Sequence, residues 1–209
     1  MAVESGRFGP IEWAAAARPL SSEEPCGDQP VAIDVSGSAV LFGVLDGLGH
    51  GSAAARAAAC GLEVLRRDPA KPLGVLIQLC HRAMAETRGG AMTLARIDFE
   101  AELLTWTGIG NVTANLVAKA LTGVALRSSA RLGGGIVGYR LPETIHIQTV
   151  PIRPGDLLVI TTDGITDDYL DTVAFAASAG VIAEQILNRH GKGTDDALVL
   201  TARHRGASS

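Results

Sequence analysis

The sequence has few aromatic residues, only 4% of 209, too few rings for a base-stacking platform. It has no Lys/Arg-rich run, and its formal net charge is -4. A nucleic-acid role built on neutralising phosphates is therefore excluded. Cysteines number 3, at Cys26, Cys60 and Cys80. None are spaced Cys-x-x-Cys, so neither a zinc knuckle nor a redox dithiol is supported, and a reducing cytoplasm is the simplest setting. No stretch approaches the roughly 18 apolar residues of a membrane span. The start, Met-Ala-Val-Glu-Ser, lacks the basic head and apolar run of a signal peptide. The expectation is a cytoplasmic monomer that touches neither membrane nor nucleic acid.

Several catalytic signatures are also missing. There is no Gly-Lys-Ser/Thr for a P-loop, no Gly-x-Ser-x-Gly and no cysteine in a phosphate-cradling loop. Phosphatases with an aspartate nucleophile place Asp-x-Asp after a strand. Here Thr161 stands two before Asp163, and Val44 stands two before Asp46. Gly133-Gly134-Gly135-Ile136-Val137-Gly138 fits Gly-x-Gly-x-x-Gly, but Tyr139-Arg140-Leu141-Pro142 leads toward a strand, whereas the dinucleotide fingerprint must open a helix. A structural glycine turn lining a cleft is the better reading.

What is present is a chain with 47% hydrophobic residues, long enough for one large domain with a substantial core. Residues 7–17 read as a strand, with Ala14 to Ala17 leaving helix open. Pro19 to Gly27 is loop-like. Strands at 30–36 and 39–45 form a hairpin turned near Ser36-Gly37. A helix at 53–67 has Ser52 as its cap and Asp68-Pro69 as its end. A second, at 72–88, carries Leu73, Leu76, Ile77, Cys80 and Met84 on one face. The period then changes: Ala95, Ile97 and Phe99 alternate with Arg96, Asp98 and Glu100 as in a half-buried strand. Further strands are expected at 103–107, 113–120, 124–128, 144–152, 156–162 and 197–203. A late helix is expected at 173–190, with Phe175, Ile182 and Ile186 on one face. Consecutive strands on short links imply antiparallel sheets, and helices covering two such sheets make an α+β sandwich.

The chemistry concentrates where strands meet glycine. Phe42-Gly-Val-Leu-Asp46-Gly47-Leu48-Gly49-His50-Gly51 is a strand that reaches a lone carboxylate and breaks into glycines. A buried carboxylate is costly without a partner, and hard cations take carboxylate and backbone-carbonyl oxygens together. The alternative is a strand-to-helix turn with a capping Asp. The same syntax recurs: Asp156-Leu-Leu-Val-Ile-Thr-Thr-Asp163-Gly164 is again an apolar strand ending in Asp-Gly. Asp195-Asp196 precedes the last apolar run, and Gly27-Asp28 lies near the start. Widely spaced aspartates at strand ends suit two hard metal ions.

This set resembles the metal-dependent (PPM, or type 2C) Ser/Thr protein phosphatases, and within them the short bacterial branch that includes SpoIIE, RsbU and RsbX. The resemblance runs from about residue 25 to 203. It implies a single phosphatase domain over 1–209, folded as a four-layer α-β-β-α sandwich of two mainly antiparallel sheets, with the metal cleft between sheet edges. It implies two Mn²⁺ or Mg²⁺ ions. Asp46 would bridge them, the Gly47 carbonyl would bind one, Asp163 and Asp195 would complete one, and Asp28 would sit near the other. Metals about 3.5–4 Å apart can lower the pKa of a shared water, giving a nucleophile at neutral pH. Asp195 and Asp196 also read as turn residues; the analogy makes Asp195 a ligand and Asp196 a neighbour that does not bind. Asp167 and Asp168 read as helix-start residues. His50 is either a proton donor to the leaving serine oxygen or a loop histidine capping a turn.

The chain departs from the family's pattern in places. Leu48 stands where the eukaryotic branch has His, and no Arg precedes Asp28 in matching context, so the general acid and phosphate clamp are unassigned. Gly110-Asn111 replaces Gly-Asp, which puts a third metal in doubt. The expected substrates are phosphoserine or phosphothreonine in STAS-domain proteins of the stressosome (RsbS/RsbR-like), since the length leaves no room for a sensor or receiver domain. Two alternatives stand: an RsbU/SpoIIE-like phosphatase of an anti-sigma-factor antagonist, and a non-catalytic metal-binding interaction module.

Overall fold

The computed structural model describes residues 1–20 and 25–206. The loop expected at Pro19 to Gly27 falls partly on Ser21, Ser22, Glu23 and Glu24, which lie outside the described residues. The chain opens as a hairpin, β1 (Ala2–Phe8) and β2 (Ile11–Arg18). The Ala14 to Ala17 run is strand, not helix. Ala14 and Ala16 face a helix layer while Ala15 faces the core between sheets, and small side chains let both layers close on one strand. β3 (Asp28–Val35) and β4 (Ala39–Gly47) follow as the expected hairpin, slightly longer, with Asp28 opposite Asp46.

Helix α1 (Gly51–Arg67) starts before the expected cap: His50 holds the N-cap position and no side chain caps the helix. Gly49 and Gly51 take φ of +85° and +74°, so the chain has already turned when it reaches Ser52. Helix α2 (Leu73–Ala83) stops short of residue 88. Thr87 Oγ1 donates to the Met84 carbonyl at 2.7 Å and accepts from Gly89 N at 3.0 Å, closing 84–89 as a turn.

The strands β5 (Gly90–Asp98), β6 (Leu103–Ile109), β7 (Thr113–Lys119) and β8 (Val124–Ser129) come next. β5 is buried on both faces rather than one for most of its length. Met92 and Leu94 face helices while Ala91, Ala95 and Ile97 face the opposite sheet. After β9 (Leu132–Gly133), β10 is only Gln148–Pro151. It cannot run back to Thr144 along β6, because β9 already occupies β6 at Gly108 and Ile109. β11 (Leu157–Thr161), a 3-10 helix (Asp167–Thr172), α3 (Ala179–His190) and β12 (Ala197–His204) complete the chain. The late helix is thus split. Ser178 caps α3, its hydroxyl accepting from Val181 N at 3.3 Å. Phe175 stays outside it, with its ring 4.5 Å from the Arg203 guanidinium carbon.

One sheet runs β1-β2-β12-β11-β7-β8 and the other β10-β6-β5-β4-β3, with β9 beside β6. The β6–β9 pair is parallel and the other ladders are antiparallel. Phe42, Trp106, Leu198 and Leu200 fill the space between the sheets. Leu41, Leu45, Leu65 and Leu76 pack α1 and α2 onto one outer face. Val159, Val199, Ile182 and Ile186 pack α3 onto the other. Each such side chain contributes about 1.5–3 kcal/mol when removed from water. The α-β-β-α sandwich expected from the sequence is the observed architecture.

Candidate metal centre

β11 and β12 are antiparallel neighbours, with Thr161 opposite Val199. Asp163 lies just past the end of β11 and Asp195 just before β12, so the ladder delivers both to one edge. β4 in the facing sheet ends at the same edge with Asp46. The three carboxylates line a cleft of about 310 Å³, together with Asn111, Gly110, Gly135 and Ile136 among others.

The glycine after each aspartate has a steric reason. A Cβ on Gly47 would collide with the Ala54 carbonyl, and one on Gly164 with the Asp196 carbonyl. Only glycine lets a second backbone approach so closely. The run Gly133 to Gly138 opens no helix. Ile136 N and Arg140 N each bond across it, to the Arg140 and Ile136 carbonyls, at 2.8 Å, and Gly135 and Ile136 form cleft wall.

Burial and crowding of charge shape the electrostatics. Asp46 is pushed up from 3.8 to about 7, first by burial and then by the charges of Asp163, Asp195 and Asp196. Asp28, 3% exposed, is raised well above the usual carboxylate range by burial and by Asp46. It stands behind Asp46 rather than in the cleft wall, and Thr162 Oγ1 donates to it at 2.8 Å. The same Thr162 hydroxyl accepts from Leu198 N at 2.9 Å, so one side chain ties the two sheets at the cleft edge.

The adjacent aspartates divide. Asp195 lines the cleft. Asp196 is buried and accepts from Leu20 N and Gly27 N, each at 2.6 Å. Asn111 Nδ2 donates to Asp163 Oδ2 at 2.7 Å, an amide where a carboxylate would have repelled. Lys192 Nζ donates to the Asp163 carbonyl at 2.6 Å. His50 is exposed at the start of α1 and is not part of the cleft wall among the described residues. Asp167 and Asp168 begin the 3-10 helix, with Asp168 Oδ1 3.1 Å from His190 Nδ1. Sequence reasoning missed Thr162, the Asn111 donor and Lys192. A hydroxyl or amide beside an Asp-Gly pair carries no local mark of which distant group it will meet.

Divalent cations fit this donor set by type: carboxylate oxygens are ligands of hard ions. Gly47, whose carbonyl the resemblance makes a ligand, is not part of the cleft wall. The upward shift of Asp46 comes first from burial and then from the like charges gathered around it, a combination that favours a bound cation. Among the described residues no three His, Cys, Asp or Glu side chains are already drawn together into a metal-holding group. The carboxylates share a cleft without converging on one point.

A sandwich of two antiparallel sheets with aspartates from both at one edge is the type 2C phosphatase fold, and this chain belongs to the SpoIIE family: the model of Stage II sporulation protein E matches residues 36–205. It is 26% identical over 140 residues to the phosphoserine phosphatase RsbX of Bacillus subtilis (strain 168), covering 67% of each chain. A chain from structural work on the bacterial stressosome, a modular system adapted to control secondary messenger signalling, superposes with a TM-score of 0.83 at 29% identity, covering 92% of this chain and 99% of that one. The structure of RsbX in complex with magnesium gives 0.81 at 20% identity, covering 96% and 98%. Among the described residues no helix is long and apolar enough to cross a membrane.

Proposed function

We propose that the chain is a Mn²⁺- or Mg²⁺-dependent phosphoprotein phosphatase that hydrolyses phosphoserine or phosphothreonine on STAS-domain stress-signalling proteins. The observation that carries this reading is the shared cleft: Asp46 from one sheet, Asp163 and Asp195 from the other, with Asp46 raised first by burial and then by its neighbours' charge. Membership of the SpoIIE family and the likeness to RsbX supply the reaction class.

In this reading Asp46, Asp163, Asp195 and the Gly47 carbonyl hold two ions. When bound, these supply a water activated at neutral pH and positive charge for phosphoryl oxygens. Asp28 backs Asp46 and, with the Thr162 hydroxyl, keeps its carboxylate at the cleft edge. The Asn111 amide holds one oxygen of Asp163, leaving the other free to bind. Gly49, Gly110 and Gly135 keep the cleft wall low enough for a phosphorylated side chain to enter. His50 stands outside the cleft wall, so the proton donor to the leaving oxygen is left unassigned.

Hydrolysis of p-nitrophenyl phosphate with Mn²⁺, with and without EDTA, tests the reaction. Activity lost on chelation and reduced on the order of 100-fold in Asp163→Asn supports it. Absence of any metal-dependent turnover rejects the enzyme in favour of an interaction module. A panel of phosphorylated STAS-domain proteins then tests the substrate. Preference for an anti-sigma-factor antagonist would replace the stressosome assignment with an RsbU-like one.

A further inference from the structure

Beside the carboxylate cleft the surface carries charge of the opposite sign. A groove of about 490 Å³ runs along the start of α1, lined by Ser52, Arg56, Glu86 and Arg88 among others. Arg88 joins it to the cleft. A Cβ on Gly49, which is cleft wall, would lie 3.0 Å from Arg88 Nη1. Both arginines are exposed. Arg56 Nη2 donates to the Glu86 carbonyl at 3.2 Å. Among the described residues neither guanidinium is ion-paired with a carboxylate.

Three arginines elsewhere are engaged. Arg127 is paired with Asp156 and Arg205 with Glu12, and Arg96 donates to the Pro69 and Lys71 carbonyls. Two open guanidinium groups at the mouth of an acidic cleft, on a chain of net charge -4, form a local positive strip. No acidic residue sits in the first turn of α1 to cancel it. A planar guanidinium matches a carboxylate with two parallel hydrogen bonds.

We propose that this groove holds the acidic flank of the substrate. Asp or Glu residues neighbouring the phosphorylated residue pair with Arg56 and Arg88 while the phosphorylated side chain enters the cleft. The proposal rests on the phosphatase reading and adds a substrate class: phosphoproteins with acidic residues beside the phosphosite. Exposed pairs are individually weak and screened by salt, so the groove sets KM and selectivity rather than kcat.

Two phosphoserine peptides, identical except for Glu or Gln at the flanking positions, test this with the full chain. With Mn²⁺ the acidic peptide should show a KM about fivefold lower at low salt, with equal kcat. In Arg56→Ala/Arg88→Ala the KM ratio should fall to about one, and in Glu86→Gln it should widen. Equal KM values in the parent chain, or a preference that survives in the double variant, overturns the proposal. Fluorescence anisotropy of the same peptides in EDTA separates it from the phosphatase reading. If p-nitrophenyl phosphate is not hydrolysed, that reading falls. Charge-dependent peptide binding that needs both arginines still upholds the groove, and peptide binding without charge preference ends it.

Discussion

The end of β4 and the turn after β11 carry the same Asp-Gly pair in unlike surroundings. Asp46 lies inside a ladder, opposite Asp28 on one side and Ala91 on the other. Burial and three neighbouring carboxylates push it up to about 7. Asp163 lies beyond its strand, exposed, with Asn111 donating to it. One motif thus produces a carboxylate that burial and neighbouring charge hold toward its protonated form and another that stands exposed beside an amide donor. Desolvation makes the difference: the half-buried carboxylate at the end of the strand has lost part of its water, and the exposed one on the loop has kept more of it.

The sharpest way to break this comparison is to remove each carboxylate. Asp46→Asn and Asp163→Asn should both lower metal-dependent hydrolysis by about 10²–10³-fold. Only Asp46→Asn should also raise the melting temperature of the metal-free chain, because it removes a buried, crowded charge. Equal melting shifts in the two variants would mean that burial does not distinguish the sites.

Cation binding should stabilise the parent chain, by about 2.7 kcal/mol at a hundredfold excess over Kd. The shift should be read as a melting temperature that rises with Mn²⁺ and returns with EDTA. It should largely vanish in Asp46→Asn.

Thr162→Val tests the tie between the two turns. It removes the donor to Asp28 and the acceptor for Leu198 N, at a cost of about 1–3 kcal/mol for groups left buried and unpaired. Denaturant unfolding should show that loss, with no counterpart in Thr105→Val, whose exposed hydroxyl meets Thr149.

A further effect is in pH. Between 3.8 and about 7 the folded, metal-free chain keeps a proton on Asp46 that the unfolded chain has released. Its stability should therefore fall as pH rises through that window, and Asp46→Asn should flatten the slope. Thermal melts in EDTA from pH 4 to pH 7.5, parent against Asp46→Asn, would measure it, and equal slopes in the two chains would contradict the raised Asp46.

Much of this arrangement was legible in the residues. Strands ending in Asp-Gly announced two of the three cleft aspartates, and the change of period after Gly90 announced the sheets. The helix ends were less legible. The turn at Thr87 and the cap at Ser178 depend on single hydroxyl bonds that many Ser and Thr residues could have made. β10 was overestimated because its length is limited by β9, a competitor for the same edge. Asp28 was placed near the metals, and it stands behind Asp46 because the β3–β4 register aligns the two.

The sequence by itself determined the layers and the residue types at the strand ends, because alternation and glycine placement act over a few neighbours. Only the tertiary structure decided which carboxylates share a cleft. It also decided that Asp195 faces the cleft while Asp196 caps backbone amides, and that Thr162 links the sheets. Those outcomes depend on groups more than a hundred residues apart meeting at one edge, and on how much water each loses there.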